Sequence, residues 1–386
     1  MAVVSAVSRR VVVIGAGPAG CAAAIAAREA GAEVLVLDRA TFPRPKTCGD
    51  ALSNEAVRLL RELMPAEVVD ALPRAIVHRS VAGFPDGSKI ARDFGGDPGW
   101  IVPRWDLDAA LRGTLERRGI EVREATAVQG ITLLKDGGVS YEVEGRREES
   151  CALVAADGPG SQAWATLGYA RSKGASLGVA ITAYVEGVKW EREGDSEHYF
   201  EPGLDCGYGW VFPEVGGRAN VGVYQRADAF QGTGVKLKEQ LRRFMAAHGD
   251  RFGEATVCGK TRTWQLPISD RRVRAGHGGL FLAGDAAHCV DPLSGEGIWQ
   301  ALHTGVSAGR QAARLALGRH DFEQAHRTHA ALLRADIVRP GQRRLRIQET
   351  ISWIVRRRIY RWPLVQTSLR WGFTRPWLEV SKALHG

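Results

Sequence analysis

The sequence predicts an α/β fold with three parts. A sheet domain is assembled from separate stretches of chain, a second domain with an antiparallel sheet is inserted into it, and a helical segment follows at the C-terminus. Three observations support this: a βαβ pattern opens the chain, glycine-rich turns follow apolar runs again further along, and short strand-like runs separated by glycines lie between them. The length of 386 residues suits two or three domains.

The βαβ unit is the most explicit element. Residues 11–14 form a β-branched apolar run, the turn GAGPAG follows at 15–20, and residues 21–30 form an alanine-rich helix. Residues 34–37 then read as a second strand that ends at Asp38. This order of strand, turn, helix and strand is typical of a Rossmann-like unit.

The glycines of this turn have the spacing that dinucleotides require. Gly15 permits the tight turn, Gly17 lets a pyrophosphate approach the backbone, and Gly20 lets helix and strand pack closely. The helix N-terminus offers unpaired N–H groups to phosphate oxygens. Asp38, followed by Arg39, stands where a carboxylate accepts hydrogen bonds from ribose hydroxyls. The unit therefore predicts dinucleotide binding.

The later elements follow the same kind of pattern. Helical patterns cover 55–63, 105–118 and 298–317, and strand patterns cover 121–123, 139–144, 151–155, 178–186, 208–213, 219–224 and 279–282. We predict that 1–75, 101–165 and 270–335 form the nucleotide-binding domain, 76–100 and 166–269 the substrate domain, and 336–386 a basic helical segment.

Composition narrows the class of protein. Six cysteines show no paired or zinc-type spacing, so neither a disulfide framework nor a metal site is predicted. No apolar run is long enough to span a bilayer and no signal peptide is recognisable, which favours a cytoplasmic protein. The net charge of +9 matches the excess of arginine over acid between Arg334 and Arg375. Such a segment suits an anionic membrane surface, nucleic acid or an acidic substrate.

Further motifs resemble the superfamily of flavin monooxygenases and geranylgeranyl reductases. The run LAGDAAH at 282–288 and the run PLSGEGI at 292–298 resemble its second FAD fingerprint. The Asp157-Gly158 pair resembles its middle motif, and RWDLD at 104–108 resembles its R-x-x-[FL]-D element. The resemblance implies FAD as cofactor, held by these residues: Arg104, Asp157, Gly284, Asp285, Pro292, Gly295, Gly297 and Ile298. A helix that begins after Gly297 would aim its positive end at the flavin ring.

Two more runs are similar to geranylgeranyl reductases in particular. PKTCG at 45–49 is similar to their K-x-C-G loop, which implies that Cys48 lies beside the flavin. YGWVFP at 208–213 matches their Y-x-W-x-F-P motif, and alternate aromatics share one face of a strand. Cys48, Tyr208 and Trp210 are therefore the candidate catalytic residues, in a pocket for an apolar molecule. The resemblance spans about residues 10–310, and it departs at Asp50, where many members have glycine, and in the C-terminal segment.

The resemblance implies a reductase that saturates C=C bonds in a hydrophobic, isoprenoid-like substrate with hydride from reduced flavin. The alternative is an FAD-dependent monooxygenase that hydroxylates an aromatic or natural-product substrate. A flavin-bound protein that docks on membrane or nucleic acid is a minor alternative. No G-W-x-W-x-I-P motif occurs, which argues against the related halogenases. No second dinucleotide motif is present, so electrons come either from NAD(P)H that docks transiently or from a protein donor.

The last expectations concern His288 and the C-terminal segment. We interpret His288 as a structural part of the second fingerprint rather than a catalytic base. Within 353–377 the segment carries Trp353, Trp362, Trp371 and Trp377 among six arginines. This composition suits peripheral contact with an anionic membrane, whereas nucleic acid is not expected because no binding module accompanies it. The competing interpretation packs the tryptophans on the substrate domain.

Overall fold

The computed structural model describes residues 8–373, which contain parallel and antiparallel strands. The strands are β1 Ser8–Ile14, β2 Val34–Leu37, β3 Ala51–Leu52, β4 Ala75–Val77, β5 Arg79–Gly83, β6 Lys89–Asp93, β7 Gly99–Ile101, β8 Glu121–Arg123, β9 Val128–Leu133, β10 Val139–Val143, β11 Arg146–Ala155, β12 Leu177–Glu186, β13 Asp195–Tyr199, β14 Gly207–Pro213, β15 Ala219–Arg226, β16 Thr256–Pro267, β17 Gly276–His277 and β18 Leu280–Leu282.

Helices connect and cover these strands. They are α1 Pro18–Glu29, α2 Asn54–Leu63, α3 Ala66–Asp70, α4 Arg104–Arg117, α5 Ala163–Thr166, α6 Ala227–Gln231, α7 Leu237–Ala247, α8 Gly249–Phe252, α9 Ile298–Ala316, α10 Phe322–Leu332, α11 Arg339–Arg356 and α12 Pro363–Phe373. A π-helical stretch, Leu333–Val338, joins α10 to α11 without a break. Short 3₁₀ turns include Gly174–Ser176, Gly284–Ala287 and Ile359–Arg361.

The first sheet carries the predicted βαβ unit at its centre. Strand β1 pairs in parallel with β2 on one side and with β11 on the other, β18 extends the sheet beyond β11, and β8 extends it beyond β2. Strands β9, β10 and the start of β11 add an antiparallel meander. Because β1, β2 and β11 run in parallel, their carboxyl ends meet at one edge, where ligands bind in open α/β sheets.

Helices α1 and α9 pack directly against each other on this sheet, and the residues at their contact are small. A Cβ added to Gly305 would lie 2.2 Å from the Ala19 carbonyl oxygen, and one added to Gly309 would lie 2.0 Å from that of Ala23. Only glycine therefore allows this spacing. The close approach brings the N-termini of both helices to the same edge of the sheet.

The second sheet has the order β16-β12-β15-β14-β13-β5-β6 and is antiparallel except where β13 meets β5. Along β14 the aromatic residues face one way and Val211 faces the other, into the cluster with Phe244. The prediction that Tyr208, Trp210 and Phe212 share one face is thus confirmed. A small sheet of β3, β7 and β4 joins the two larger sheets.

The mixed α/β class and the helical C-terminal part are as predicted, and β1, β2, α1 and α9 lie within a few residues of their predicted ranges. Strands β9, β13 and β16 are structural findings that the sequence patterns did not predict. Strands of the first sheet lie in the segments predicted for nucleotide binding, and those of the second lie in 76–100 and 166–269. The predicted boundary at residue 336 falls inside the continuous helix from α10 to α11.

Candidate functional site

A cavity of about 1520 Å³ runs between the two large sheets and is the centre of the candidate site. One part is lined by the carboxyl ends of β1, β2 and β11, and another by apolar residues of the second sheet and of α11 and α12. Loop 44–49 and the turn before α9 line the cavity between these parts.

The glycine-rich turn forms the floor of the nucleotide part. Gly15 has a φ of +97°, and a Cβ there would lie 2.4 Å from the Ala156 carbonyl oxygen. A Cβ on Gly17 would meet only the Arg44 guanidinium at 3.7 Å, so this residue leaves open space above the N-terminus of α1. That N-terminus has no side-chain cap. Its N–H groups are therefore available to an anion in the cavity.

Two carboxylates lie beside this turn, the buried Asp38 and the partly buried Asp157. Asp38 accepts hydrogen bonds from the backbone N–H of Ala16 at 2.6 Å and of Ala40 at 2.8 Å, which fixes its carboxylate at the cavity wall. Asp157 accepts one bond from the Gln162 backbone at 3.0 Å. Its other oxygen, Oδ1, is buried and has no partner in the described part of the chain. A buried oxygen of this kind requires a donor from a ligand or water.

Lys46 and Asp285 face each other in the middle of the cavity. The Lys46 ammonium lies 3.4 Å from the centre of the Trp264 ring, and burial lowers its pKa to about 8. Burial raises the pKa of Asp285, which the nearby charge of Lys46 opposes. Within residues 8–373 the Asp285 carboxylate receives no hydrogen bond, and it lies 3.7 Å from the position of a Cβ on Gly297. It is thus an acceptor that faces the cavity.

The turn before α9 is held by two tyrosines. The Tyr208 hydroxyl donates to the Ser294 carbonyl, and the Tyr224 hydroxyl donates to the Pro292 carbonyl at 2.9 Å. These bonds fix the turn so that Gly295 and Gly297 border the cavity, and α9 begins at Ile298, after the N-cap residue Gly297, without a side-chain cap. A second helix N-terminus is therefore directed at the same space.

Cys48 lies at the junction of the nucleotide part and the apolar part. It borders the cavity, and burial raises the pKa of its thiol. The Arg104 guanidinium lies close enough to the thiol for its charge to favour the thiolate, and it forms a bidentate pair with Asp108 at 2.7 and 2.8 Å. The thiol therefore lies beside a cation whose own position is fixed.

Asp50 lies behind this loop and is fully buried. Its carboxylate accepts hydrogen bonds from the Tyr184 hydroxyl at 2.5 Å, from the Asn220 amide at 2.8 Å and from the Arg104 backbone N–H at 3.3 Å. Burial raises its pKa to about 7, although these donors oppose the shift. No sequence motif indicated Tyr184 or Asn220.

The apolar part is walled by aromatic and aliphatic side chains from three elements. Tyr208, Trp210 and Phe212 of β14 form one wall, and residues of α11 and α12 form another, among them Ile351, Ile354, Leu369 and Phe373. Phe200 belongs to the partly buried residues of both apolar clusters there. The C-terminal helices thus complete the cavity rather than forming a separate appendage.

Comparison with known proteins gives the family. The model of the FAD-binding domain family matches residues 8–320. The chain belongs to this family. It is 33% identical over 316 residues to the menaquinone reductase of Mycolicibacterium smegmatis, covering 79% of this chain and 75% of the relative. It is 34% identical over 318 residues to digeranylgeranylglycerophospholipid reductase 2 of Methanopyrus kandleri, covering 79% and 76%.

Solved structures share the fold of this FAD-binding family member. A geranylgeranyl bacteriochlorophyll reductase-like protein from Thermoplasma acidophilum aligns with a TM-score of 0.80 at 21% identity, covering 89% of this chain and 87% of that one. The flavin-dependent halogenase CmlS aligns with a TM-score of 0.74 at 23% identity, covering 87% and 62%. With relatives that are named reductases, the chain is an FAD-dependent oxidoreductase.

The residues present fit FAD. Two uncapped helix N-termini, an open space above Gly17, the unpartnered Asp157 oxygen and the exposed acceptor of Asp285 border one continuous cavity. These features offer donors to phosphate oxygens and acceptors to hydroxyl groups, which a dinucleotide supplies in that combination. No metal-binding group of three or more His, Cys, Asp or Glu side chains occurs within residues 8–373.

The structure brings most of the predicted site residues to the cavity wall. They are Gly15, Gly17, Asp38, Arg39, Cys48, Arg104, Asp157, Tyr208, Trp210, Asp285, Gly295, Gly297 and Ile298. Gly20, Gly284 and Pro292 lie behind the wall. A Cβ on Gly20 would lie 1.7 Å from the Gly15 carbonyl oxygen, and one on Gly284 would lie 2.9 Å from the Ala19 Cβ. These two glycines therefore permit close packing.

His288 is packed away from the cavity. It is buried, its ring meets Trp164 edge-on at 4.9 Å, and burial lowers its pKa to about 4. These contacts agree with the structural interpretation. Sequence reasoning missed Asp50, Tyr184, Asn220 and Glu296, of which Glu296 borders the cavity with a pKa that burial raises to about 7.

Proposed function

We propose that this oxidoreductase uses reduced FAD to saturate C=C bonds in a long, hydrophobic, isoprenoid-like substrate. One observation carries the proposal: a single cavity joins the nucleotide part to an apolar part, with Cys48 at the junction. The relatives named above are reductases whose named substrates contain isoprenoid chains. An apolar wall of this extent suits a long hydrocarbon chain because it removes apolar surface from water.

Each group of residues has a proposed role toward FAD. The turn at Gly15 and Gly17 and the N-terminus of α1 receive the pyrophosphate, Asp38 and Arg39 border the ribose, and Asp285 accepts from the ribityl chain. Arg104, Asp157 and the turn with Gly295, Gly297 and Ile298 complete the contact, while Gly20, Gly284 and Pro292 support it from behind. When bound and reduced, FAD supplies the hydride.

Cys48 is the proposed acid. Its Sγ–H bond breaks, the proton goes to the alkene carbon that does not receive the hydride, and the sulfur keeps the electron pair as a thiolate. The Arg104 guanidinium beside the sulfur stabilises that thiolate until solvent returns the proton. The raised pKa of the thiol keeps Cys48 protonated at neutral pH, as a proton donor requires.

Tyr208 and Trp210 are proposed as walls that hold the reacting bond in place. Their polar atoms are already used, because Tyr208 donates to the Ser294 carbonyl and the Trp210 indole donates to Asn220 at 3.0 Å. An isolated alkene is weakly electrophilic, so its orientation against the flavin matters more than its polarisation. The rings therefore contribute by packing.

The test is turnover under nitrogen with a chemical reductant and a panel of polyprenyl compounds, followed by mass analysis of the products. We expect products that gain two hydrogens per step without oxygen. Products heavier by one oxygen atom, formed only in air, would show the monooxygenase instead. Addition of NADH or NADPH in place of the chemical reductant tests whether a nicotinamide cofactor is the electron donor.

We also propose that the C-terminal helices attach the protein to an anionic membrane surface. Trp353, Trp362, Leu364 and Trp371 are 49%, 62%, 83% and 56% exposed, so each presents a large part of an apolar side chain to solvent. Exposed arginines lie among them, at 356–358, 361 and 370. Within the described chain no helix is long and apolar enough to cross a bilayer. Trp377 lies outside the described residues.

Helix α12 carries the argument for a membrane rather than another partner. Its residues Leu369 and Phe373 line the cavity, whereas Leu364 and Trp371 face outward. A helix with apolar residues on both faces and arginines beside them suits the boundary between headgroups and acyl chains. A substrate that resides in the bilayer would then lie next to the cavity wall.

Co-sedimentation with phosphatidylglycerol-containing and with neutral vesicles tests this attachment. We expect binding to the anionic vesicles at low salt, lost at high salt and lost in the variant Leu364→Gln/Trp371→Gln. Trp105→Gln is the matched control because Trp105 is also 49% exposed but lies on α4. Equal binding of all three proteins, or none by the wild type, would contradict the proposal.

A further inference from the structure

Cys48 lies in surroundings that oppose its proposed role as an acid. The charges of Arg104 and of Lys46, two residues away in the same loop, act on its thiol. Positive charges favour the thiolate, which cannot donate a proton. Burial of the thiol raises its pKa against these charges, and a negative charge nearby would oppose them further.

Asp50 is the charged group placed to do so. It is fully buried, two residues from Cys48, and it has a φ of +61°, a conformation that glycine adopts freely and aspartate tolerates. Many proteins of the family that the sequence resembles have glycine here, so the backbone turn does not itself require a carboxylate. The carboxylate is an addition to the turn. Burial raises its pKa to about 7 while its three hydrogen bonds favour the charged form, so Asp50 is ionised above neutral pH.

Those bonds also fix the loop. Asn220 donates to Asp50 and, at 2.9 Å, to the Cys48 carbonyl oxygen, while its own carbonyl accepts from Trp210 and from Thr182 at 2.7 Å. Because the Asp50 carboxylate and the Cys48 carbonyl both accept from the Asn220 amide nitrogen, Asp50 helps to fix which way that amide faces. The same carboxylate thus orients the Cys48 peptide and the Trp210 ring.

We propose that Asp50 is a positioning residue that holds the Cys48 side chain as a neutral, proton-donating thiol and fixes its loop against Asn220. The inference rests on the proposed role of Cys48 as the acid. Five groups near Asp50 titrate or carry charge: Tyr184 from β12, Arg104 and its partner Asp108 from α4, and Lys46 and Cys48 from the loop itself. Arg218 lies over the Tyr184 ring, 5.5 Å from its centre.

The direction of the effect follows from these charges. Burial contributes most to the raised pKa of the Cys48 thiol, the Asp50 carboxylate raises it further, and Arg104 and Lys46 lower it. Removal of the carboxylate leaves the two cations unopposed, so the thiol should ionise at lower pH. A single charge at this range shifts a pKa by about one unit, which corresponds to a change of about tenfold in thiolate at a given pH below the midpoint.

The experiment measures the rate at which iodoacetamide alkylates Cys48 in the FAD-loaded protein between pH 6 and about 10, resolved peptide by peptide by mass spectrometry. We expect the midpoint of the pH profile to fall in Asp50→Asn, with about tenfold faster labelling at about pH 8. Asp50→Gly should give the same shift, and it keeps the turn unstrained if Asp50→Asn folds poorly.

Cys151 and Cys258 are internal controls, because they are partly exposed and lie on β11 and β16. Their profiles should not change. An unchanged Cys48 midpoint in both variants would overturn the proposal, and so would a rise in labelling by the same factor at every pH, which signals a loosened loop only. The measurement uses no alkene, so it tests Asp50 separately from the proposed reaction.

Discussion

At the scale of single residues, Cys48 connects the cofactor part of the cavity to the substrate part. It borders the cavity, and in the proposed mechanism Arg104 would stabilise the thiolate that proton donation leaves behind. A thiol that served only to fill space would need neither the contact with Arg104 nor the fixed loop. A substitution of Cys48 is therefore the most direct way to separate an effect on the reaction from an effect on FAD binding.

We predict that Cys48→Ala retains FAD but slows the oxidation of the reduced protein by substrate by about 10²-fold or more, the usual contribution of a positioned acid. Stopped-flow absorbance under nitrogen measures this half-reaction, and the flavin spectrum of the purified variant measures FAD content. If the half-reaction keeps its rate, another group, with Glu296 as the first candidate, supplies the proton.

Asp285 provides a second prediction at this scale. Its carboxylate faces the cavity and receives no hydrogen bond within the described residues, so a hydroxyl of FAD would be its partner. Asp285→Ala should weaken FAD binding by about 10- to 100-fold, as expected for a hydrogen bond to a charged group. Asp270→Ala is the control, because Asp270 pairs with Arg274 and does not line the cavity. Equal FAD affinity in the two variants, measured by fluorescence titration, would remove Asp285 from the site.

At the scale of elements, the contact between α1 and α9 decides where both helix N-termini lie. We predict that Gly309→Ala destabilises the protein by about 1–3 kcal/mol, because the new Cβ meets the Ala23 carbonyl and the helices must separate. Gly113→Ala, in α4 with no atom within 4 Å of the new Cβ, should be neutral or stabilise by about 0.5–1 kcal/mol. Urea unfolding of both variants provides the comparison, and the account fails at this point if Gly309→Ala unfolds like Gly113→Ala.

Helix α12 gives the other prediction at this scale. Leu369→Trp places a larger side chain in the apolar part of the cavity, so KM should rise for long polyprenyl compounds and change little for short ones, with FAD retained. Leu364→Trp is the matched control, because Leu364 is 83% exposed and does not line the cavity. Chain-length discrimination that stays the same in both variants would show that α12 does not border the bound substrate.

The sequence predicted elements well where local pattern and burial agree. The run at 11–14 is apolar throughout because β1 is buried between neighbouring strands, and the glycine spacing marks the turn after it. Strand β16 was missed because it is an edge strand, TVCGKTRTWQLP, whose residues are mostly exposed and polar. Pairing with β12, rather than its own composition, makes it a strand.

The candidate site, too, was predicted in part and missed in part. Motifs of contiguous residues, such as those at 15–20, 45–49 and 292–298, predicted which segments line the cavity. The bonds from Tyr184 and Asn220 to Asp50 could not be predicted, since they join residues 134 and 170 positions apart and no short motif contains them. In the sequence, Asp50 was noted only as a departure from glycine. Its hydrogen-bond partners are found only in the tertiary structure.

At the scale of the whole molecule, the cavity is lined both by residues inside the family match and by residues beyond it. The family match ends at residue 320, yet residues of α11 and α12 complete the apolar wall. The cofactor end is thus built from the part shared with relatives, whereas the part that encloses a substrate includes the segment beyond the match. This division suits a common hydride chemistry applied to a substrate that the C-terminal helices help to select.

The central claim is that reduced flavin passes its hydride directly to an alkene. In the most direct measurement, the photoreduced, FAD-loaded protein is mixed with a polyprenyl compound under nitrogen. The absorbance band of oxidised flavin is then followed over time. The account predicts that the oxidised flavin band returns in the absence of oxygen and that one C=C bond is saturated per flavin. A band that returns only when oxygen is admitted, with an oxygenated product, would contradict it.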